Sequence, residues 1–243
     1  ESGDCALALE ELVIMGVENT LTFVAHGPRV QNAIPLKGFE TVQPIYQVIK
    51  HLLKHEKELE FDSDHMRVIS PEEGGMSRAF FFANVLGLDM GMFYKRRDYT
   101  RIVDGRNPIV AHEFLGSSVE GKDVIIIDDM ISSGDSILDV AKQLKARKAN
   151  RIFAAATFGL FTNGMKKFDE AYEQGIIHGI LTTNLIYQTP ELLSKPYYIN
   201  CDLSKYIALI VDTLNHDGSI SSILSPNERI QNVVKKYRNG EKI

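Results

Sequence analysis

Short apolar runs alternate along this chain with longer segments of helical spacing, and this alternation limits the folds open to it. The predicted strands are 20–25, 66–70, 90–94, 109–114, 123–128, 151–158, 179–184 and 197–201. The predicted helices are 4–15, 44–59, 77–87, 136–148, 164–174, 204–218 and 227–240. Because parallel strands need long crossovers, the pattern predicts an α/β fold on mostly parallel sheet, with 109–114 at an edge.

Composition narrows the class of protein. The 243 residues are 44% hydrophobic, enough for one large domain or two smaller ones, and the Gly- and Pro-containing loop 26–44 is the best candidate boundary. The net charge of -5 argues against nucleic acid as a partner. No apolar run approaches the roughly 20 residues of a membrane span. Cys5 and Cys201 lack metal-type spacing, so we expect a reducing, cytoplasmic setting.

Polar side chains that could bind a ligand or take part in a reaction follow four of the predicted strands. They are His26, the segment 72–75, the basic run 95–97 and the segment 128–136. Open parallel sheets bind ligands at the carboxyl ends of their strands. The four segments together therefore predict a site for a metal-bound, multiply phosphorylated substrate.

The segment DDMISSGDS, residues 128–136, carries the strongest signal. Backbone N–H groups at a helix N-terminus bind phosphate, and Ser132, Ser133 and Ser136 add hydroxyl donors beside Gly134 and Asp135. Two carboxylates before that loop suit the vicinal hydroxyls of a sugar. We expect both acids to face solvent at the strand end. Helix capping alone explains the serines but not the paired acids.

The two adjacent carboxylates that precede the serine-rich loop are Asp128 and Asp129. The other three segments are individually weaker. Gly74 and Gly75 suit a close approach of backbone to diphosphate and Glu72 suits Mg²⁺, but an ordinary turn explains them equally well. The basic run Lys95, Arg96 and Arg97 neutralises a transferring phosphoryl group or is simply a solvated face. A lone His26 is more often structural than a ligand.

The ordered motifs resemble the phosphoribosyl-diphosphate synthetases, which share the type I phosphoribosyltransferase fold. The resemblance rests on SPEEGGMSRAFFFANVLGLDMGMFYKRRD and VEGKDVIIIDDMISSGDS, and FVAHGPRVQNAI falls where the family has an Asp-Leu-His signature. It implies two phosphoribosyltransferase-type parallel-sheet domains, the first incomplete in this chain. Residues 1–40 would belong to the first domain, with 204–225 packing back on it. Residues 41–203 would form the second domain and 226–243 a C-terminal helix.

The resemblance also implies an activity, the transfer of diphosphate from MgATP to the 1-hydroxyl of ribose 5-phosphate. It places ribose 5-phosphate on Asp128, Asp129 and residues 132–136, and Lys95 and Arg97 on a mobile catalytic loop. It assigns the binding of ATP or its diphosphate to His26, Glu72, Gly74, Gly75 and Arg96. It assigns the binding of Mg²⁺ to His26 and Glu72. A homo-oligomer, dimer or hexamer, is implied as well.

Several positions depart from the family pattern. Val24 replaces the acid of the Asp-Leu-His signature, Glu72 stands for Asp, and Asp135 stands where Gly is usual, beside the expected phosphate. The chain also begins without Met, and we expect further residues before Glu1 in the intact protein. A phosphoribosyltransferase that consumes phosphoribosyl diphosphate, or a non-catalytic synthetase homologue, therefore remains an alternative.

Overall fold

The computed structural model describes residues 3–27, 29–97, 100 and 109–243, with the side chains of 95–97 and 109–112 outside the description. The chain forms two compact units, Glu1–Pro44 and Ile45–Ile243. The predicted boundary, between residues 40 and 41, falls close to this division. The expected packing of 204–225 on the first domain stays a prediction.

Among its described residues the first unit contains one α-helix, α1 (Asp4–Ile14), a short 3-10 helix (Val30–Ala33) and a two-stranded parallel sheet. Strand β1 (Asn19–Phe23) pairs in register with β2 (Gly38–Val42), from Asn19 opposite Gly38 to Phe23 opposite Val42. Strand β2 was not predicted, because its segment lies in the loop 26–44 and only Val42 is buried in it. A short strand with one buried side chain gives almost no periodic signal.

The second unit is built on a seven-stranded sheet. Its strands are β3 (Met66–Ser70), β4 (Asp89–Arg97), β5 (Ile109–Leu115), β6 (Asp123–Ile131), β7 (Ile152–Gly159), β8 (Gly179–Thr183) and β9 (Tyr198–Cys201). Their order is β5-β4-β3-β6-β7-β8-β9, parallel throughout except for β5, which is antiparallel to β4 at the edge. The predicted α/β class and the edge position of β5 are confirmed.

Eight helices of this unit are described. They are α2 (Ile45–His55), α3 (Met76–Leu86), α4 (Asp135–Ala146), α5 (Lys166–Glu173), α6 (Pro190–Leu193), α7 (Ser204–Asn215), α8 (Ser221–Leu224) and α9 (Asn227–Arg238). Helix α2 ends four residues before its predicted end. The Tyr237 hydroxyl donates to the Glu56 carbonyl (3.0 Å) and accepts from the Leu59 N–H (2.8 Å), so a tertiary contact satisfies groups that a longer helix would use.

The central strands of the sheet are buried on both faces, which explains why they contain continuous apolar runs. One face packs Val68, Ile125 and Phe153 against α2, α3 and α9, and the other packs Ile126, Ala154 and Ile180 against α4 and α5. The resulting three layers fix the carboxyl ends of β3 and β6 side by side. Among the described residues, no helix is long and apolar enough to cross a membrane.

Candidate active site

A cavity of about 130 Å³ lies at the carboxyl ends of β3 and β6. Its lining comes from two chain segments, Pro71–Glu72 and 128–137, and comprises Pro71, Glu72, Asp128, Met130, Ile131, Ser132, Ser133, Gly134, Ser136 and Ile137. The structure therefore brings together the glutamate turn and the serine-rich loop, as expected from the pairing of their strands.

The turn after β3 positions the Glu72 side chain at this cavity. The Ser70 hydroxyl donates to the Glu72 carbonyl at 2.6 Å, and a 3-10 turn, Glu73–Gly75, then leads into α3. A Cβ on Gly75 would lie 2.7 Å from the Ser70 Oγ, so this position excludes a side chain. At Gly74 a Cβ would meet only the Glu72 Oε1, at 3.6 Å. Neither glycine lines the cavity, so their predicted approach to diphosphate stays a prediction.

The loop between β6 and α4 has the geometry of an anion cradle. Gly134 has φ +85°, a backbone conformation that L side chains rarely adopt, and a Cβ there would lie 2.1 Å from the Phe168 Cζ. The turn at Gly134 brings Ser132, Ser133 and Ser136 to the cavity just as α4 begins. Hydroxyl donors and the first N–H groups of a helix meet there, which favours a phosphate.

Asp135, the acid expected beside that phosphate, directs its carboxylate elsewhere. The Lys167 Nζ lies 2.6 Å from the Asp135 Oδ1, and the Ser133 hydroxyl donates to the Asp135 Oδ2 at 3.1 Å. The hydrogen bond from Lys167 holds the pKa of Asp135 below its usual range. Asp135 lines a second cavity, of about 290 Å³, rather than the first. The departure from Gly at this position therefore adds no carboxylate to the lining of the first cavity.

The paired acids lie within β6, which continues three residues past its predicted end because Met130 and Ile131 pair with β7. Asp128 lines the cavity, whereas Asp129 is only 5% exposed and does not. The expectation that both acids face solvent is thus wrong for Asp129. Successive residues of a strand point to opposite faces, so only one of two adjacent acids reaches the cavity.

A largely buried guanidinium joins the two acids. Arg78, in the first turn of α3, places its Nη2 3.0 Å from the Asp129 Oδ1 and 3.5 Å from the Asp128 Oδ1. The Asp129 N–H also donates to the Asp128 Oδ1, at 2.9 Å. Sequence analysis gave Arg78 no role. The one sequence feature that could have indicated a role is its position, three residues after Gly-Gly and at the start of the helix that follows the 72–75 segment.

Burial is the main cause of an unusual pKa in this group. It raises the pKa of Asp128 to about 7, with the neighbouring Asp129 carboxylate acting in the same direction and Arg78 opposing both. Near neutral pH, Asp128 therefore exchanges between a hydrogen-bond acceptor and a neutral acid. A perturbed carboxyl at the wall of a cavity is typical of functional sites.

Asp128 is expected to make the protein less stable as the pH rises. Its pKa is raised in the folded state, so between about pH 4 and about pH 7 the unfolded chain loses this proton and the folded chain keeps it. The stabilisation present at low pH is lost over that range, by about 1–4 kcal/mol at roughly 1.4 kcal/mol per pKa unit. Urea unfolding of Asp128→Asn and the unsubstituted protein should diverge across this range. Parallel stability curves would contradict the assignment.

Asp129→Asn is expected to lower both stability and sugar-phosphate affinity. The change removes one charged partner of a buried guanidinium, which costs about 1–3 kcal/mol in the free energy of unfolding. Affinity for ribose 5-phosphate should fall by a similar amount. Denaturant unfolding and calorimetric titration measure the two effects, with exposed Glu173→Gln as the control. Unchanged affinity in a folded variant would remove the diacid from the site.

The described lining of this cavity does not include His26, Lys95, Arg96 or Arg97. His26 is exposed and belongs to the first unit. Lys95, Arg96 and Arg97 continue β4, because their backbone pairs with β5, and their side chains lie outside the described part of the chain. The predicted mobility of a catalytic loop falls largely on residues outside that part.

One other group of potential metal ligands is described. Side chains of Glu60, Asp62 and His65 offer atoms within 4.8 Å of one another, just before β3 and so at the opposite end of that strand from the cavity. Asp62 accepts hydrogen bonds from the N–H groups of Asp64 and His65, which closes a turn. This arrangement has a structural explanation and does not include the predicted metal residues.

Comparison with known proteins agrees with the fold. The model of the phosphoribosyl transferase domain family matches residues 37–191, and the chain belongs to this family. Among curated proteins, the ribose-phosphate pyrophosphokinase of Shewanella oneidensis is 30% identical over 212 residues, covering 87% of this chain and 62% of the relative. That of Ureaplasma parvum is 30% identical over 176 residues, covering 72% and 50%. The sequence resemblance to this group is thereby confirmed.

A solved structure shows the same fold. Phosphoribosylpyrophosphate synthetase from Mycobacterium smegmatis superposes with a TM-score of 0.72 at 19% identity, covering 90% of this chain and 65% of that one. The chain thus spans 62% and 50% of the length of the two curated relatives given above.

Proposed function

We propose that this protein is a ribose-phosphate diphosphokinase, which transfers diphosphate from MgATP to the 1-hydroxyl of ribose 5-phosphate and releases AMP. The observation that carries the proposal is the shared cavity, in which the Glu72 turn and the 128–137 segment meet. The names of the curated relatives support the same reaction.

In this proposal the sugar phosphate occupies the cavity from the 128–137 side. Ser132, Ser133, Gly134 and Ser136, which line the cavity at the start of α4, take the 5-phosphate. Asp128 accepts from a ribose hydroxyl. Lys95 and Arg97 neutralise charge on the transferred diphosphate, and Arg96 and His26 contribute to binding ATP. Such a reaction depends mainly on positioning and charge neutralisation.

Magnesium is part of the proposal. Glu72 and Asp128 line one cavity, and carboxylate oxygens are the ligands that Mg²⁺ prefers, so the residues present fit the ion. Bound there, Mg²⁺ would neutralise phosphate oxygens. Participation of His26 in the metal site stays a prediction, as does close approach of Gly74 and Gly75 to the diphosphate.

Incubation with MgATP and ribose 5-phosphate tests the proposal. Chromatography should detect AMP and phosphoribosyl diphosphate in equal amounts, and neither product when ribose 5-phosphate is omitted. Release of ADP or free phosphate instead of AMP would overturn diphosphate transfer.

A phosphoribosyltransferase is the second candidate, since the matching family model describes that domain. It would consume phosphoribosyl diphosphate in the presence of a nucleobase and release diphosphate. Binding of ribose 5-phosphate without either reaction would identify a non-catalytic homologue.

Assembly and location belong to the proposal too. We propose a homo-oligomer, dimer or hexamer, in the cytoplasm. Light scattering of the purified protein would give the oligomer mass, and cell fractionation would test the location.

A further inference from the structure

Arg78 connects α3 to the two acids of β6, a contact that no sequence pattern predicted. We propose that Arg78 is the positioning residue of the diacid: it anchors buried Asp129 and, through Asp129, fixes the carboxylate of Asp128 that faces the sugar. The inference rests on the proposed function of the cavity. It gives different roles to Asp128 and Asp129, two carboxylates that the sequence alone predicted to act alike.

The contacts of Asp128 and Asp129 differ as their two proposed roles require. Asp128 lines the cavity, and Asp129 does not. The shorter ion pair of Arg78 goes to the buried acid, at 3.0 Å, and the longer one to the cavity acid, at 3.5 Å. The Asp129 N–H then holds the Asp128 Oδ1 from the backbone side. A change at Arg78 or Asp129 therefore reaches the cavity through Asp128.

The charges around Asp128 show why a cation is needed. Asp129 comes from the same strand and Glu72 lines the same cavity from the turn after β3, so further negative charge faces Asp128 from two elements. Arg78 from α3 supplies a positive charge to the pair in β6. Without it, two adjacent and largely buried carboxylates would repel each other, and one would take up a proton.

Burial of Arg78 argues that the ion pair has a purpose beyond stability. The side chain is 13% exposed, and its Nε is buried with no hydrogen-bond partner among the described residues. Burying a charged pair costs desolvation energy that its attraction often fails to recover, and apolar replacements are frequently as stable. An ion pair kept at such a position is better explained by the orientation of Asp128 than by stability.

Calorimetric titration without ATP tests the inference, with ribose 5-phosphate and inorganic phosphate as separate probes. In Arg78→Met, affinity for ribose 5-phosphate should fall about 10- to 100-fold at neutral pH, the scale of one charged hydrogen-bonding partner. Affinity for inorganic phosphate should stay within about twofold, because neither Arg78 nor Asp129 belongs to the lining of the cavity beside the 132–136 loop. Arg78→Lys should recover part of the loss. Exposed Lys235→Met is the control for a lost positive charge.

A double variant separates positioning from a general structural role. The double variant Arg78→Met/Asp129→Asn should fold even if Arg78→Met does not, and its loss of affinity should be smaller than the sum of the single losses.

The outcomes distinguish the inference from the proposed function. No binding of ribose 5-phosphate to the unsubstituted protein overturns the function of the cavity. Binding by the unsubstituted protein with equal binding by Arg78→Met overturns only the positioning role. Loss of phosphate affinity together with sugar-phosphate affinity, or additive losses in the double variant, overturns it as well.

Discussion

Gly134→Ala is expected to destabilise the protein by about 2–5 kcal/mol and to abolish measurable binding of ribose 5-phosphate. The added methyl group meets two costs at once. Gly134 has φ +85°, where an L residue loses roughly 1–2 kcal/mol, and the Cβ would lie 2.1 Å from the Phe168 Cζ. Forcing atoms into a packed core adds roughly 1–3 kcal/mol. Relief of the clash would move the loop that carries Ser133 and Ser136.

Gly121→Ala is the matched control for this change. Gly121 also has a positive φ, +71°, but nothing lies within 4 Å of a Cβ built there. Urea unfolding should therefore show a loss of about 1–2 kcal/mol for Gly121→Ala, with normal ligand binding. Equal destabilisation of the two variants would mean that Phe168 yields easily and does not shape the loop.

Lys95→Ala and Arg97→Ala are expected to lower kcat by about 10²- to 10³-fold each, with a much smaller rise in KM for ribose 5-phosphate. If both side chains act on charge that develops during diphosphate transfer, they stabilise the transition state more than the bound substrate. Initial rates of AMP formation measure both constants, and Lys235→Ala is the control for an exposed cation. A rise in KM with unchanged kcat would mean that the two residues bind the substrate but do not stabilise the transition state.

The second unit could be predicted closely because its central strands are buried on both faces. They contain the apolar runs 68–69 and 124–127, and each run is followed by polar groups and a helix. Such runs determine strand, crossover and parallel pairing together. Strand β2 lacked that signal, and α2 ends early because of Tyr237, which is 178 residues from Leu59 in sequence.

The site was predictable as a set of segments but not as a set of contacts. The paired acids and the serine-rich loop identified the cavity, since their residue types suit a sugar phosphate. The burial of Asp129 and its ion pair with Arg78 depend on where α3 crosses β6, and the Lys167 partner of Asp135 depends on α5. Contacts between distant elements leave no local pattern in a sequence.

The central claim, that the Glu72 turn and the 128–137 segment form one sugar-phosphate site, is tested most directly by NMR titration of isotope-labelled protein with ribose 5-phosphate. The account predicts that the amide signals of 72–75 and 128–137 shift together and saturate at one ligand concentration. Inorganic phosphate should shift only the signals of 132–136. Shifts centred elsewhere, or unchanged amide signals at Ser132–Ser136 under saturating ribose 5-phosphate, would contradict it.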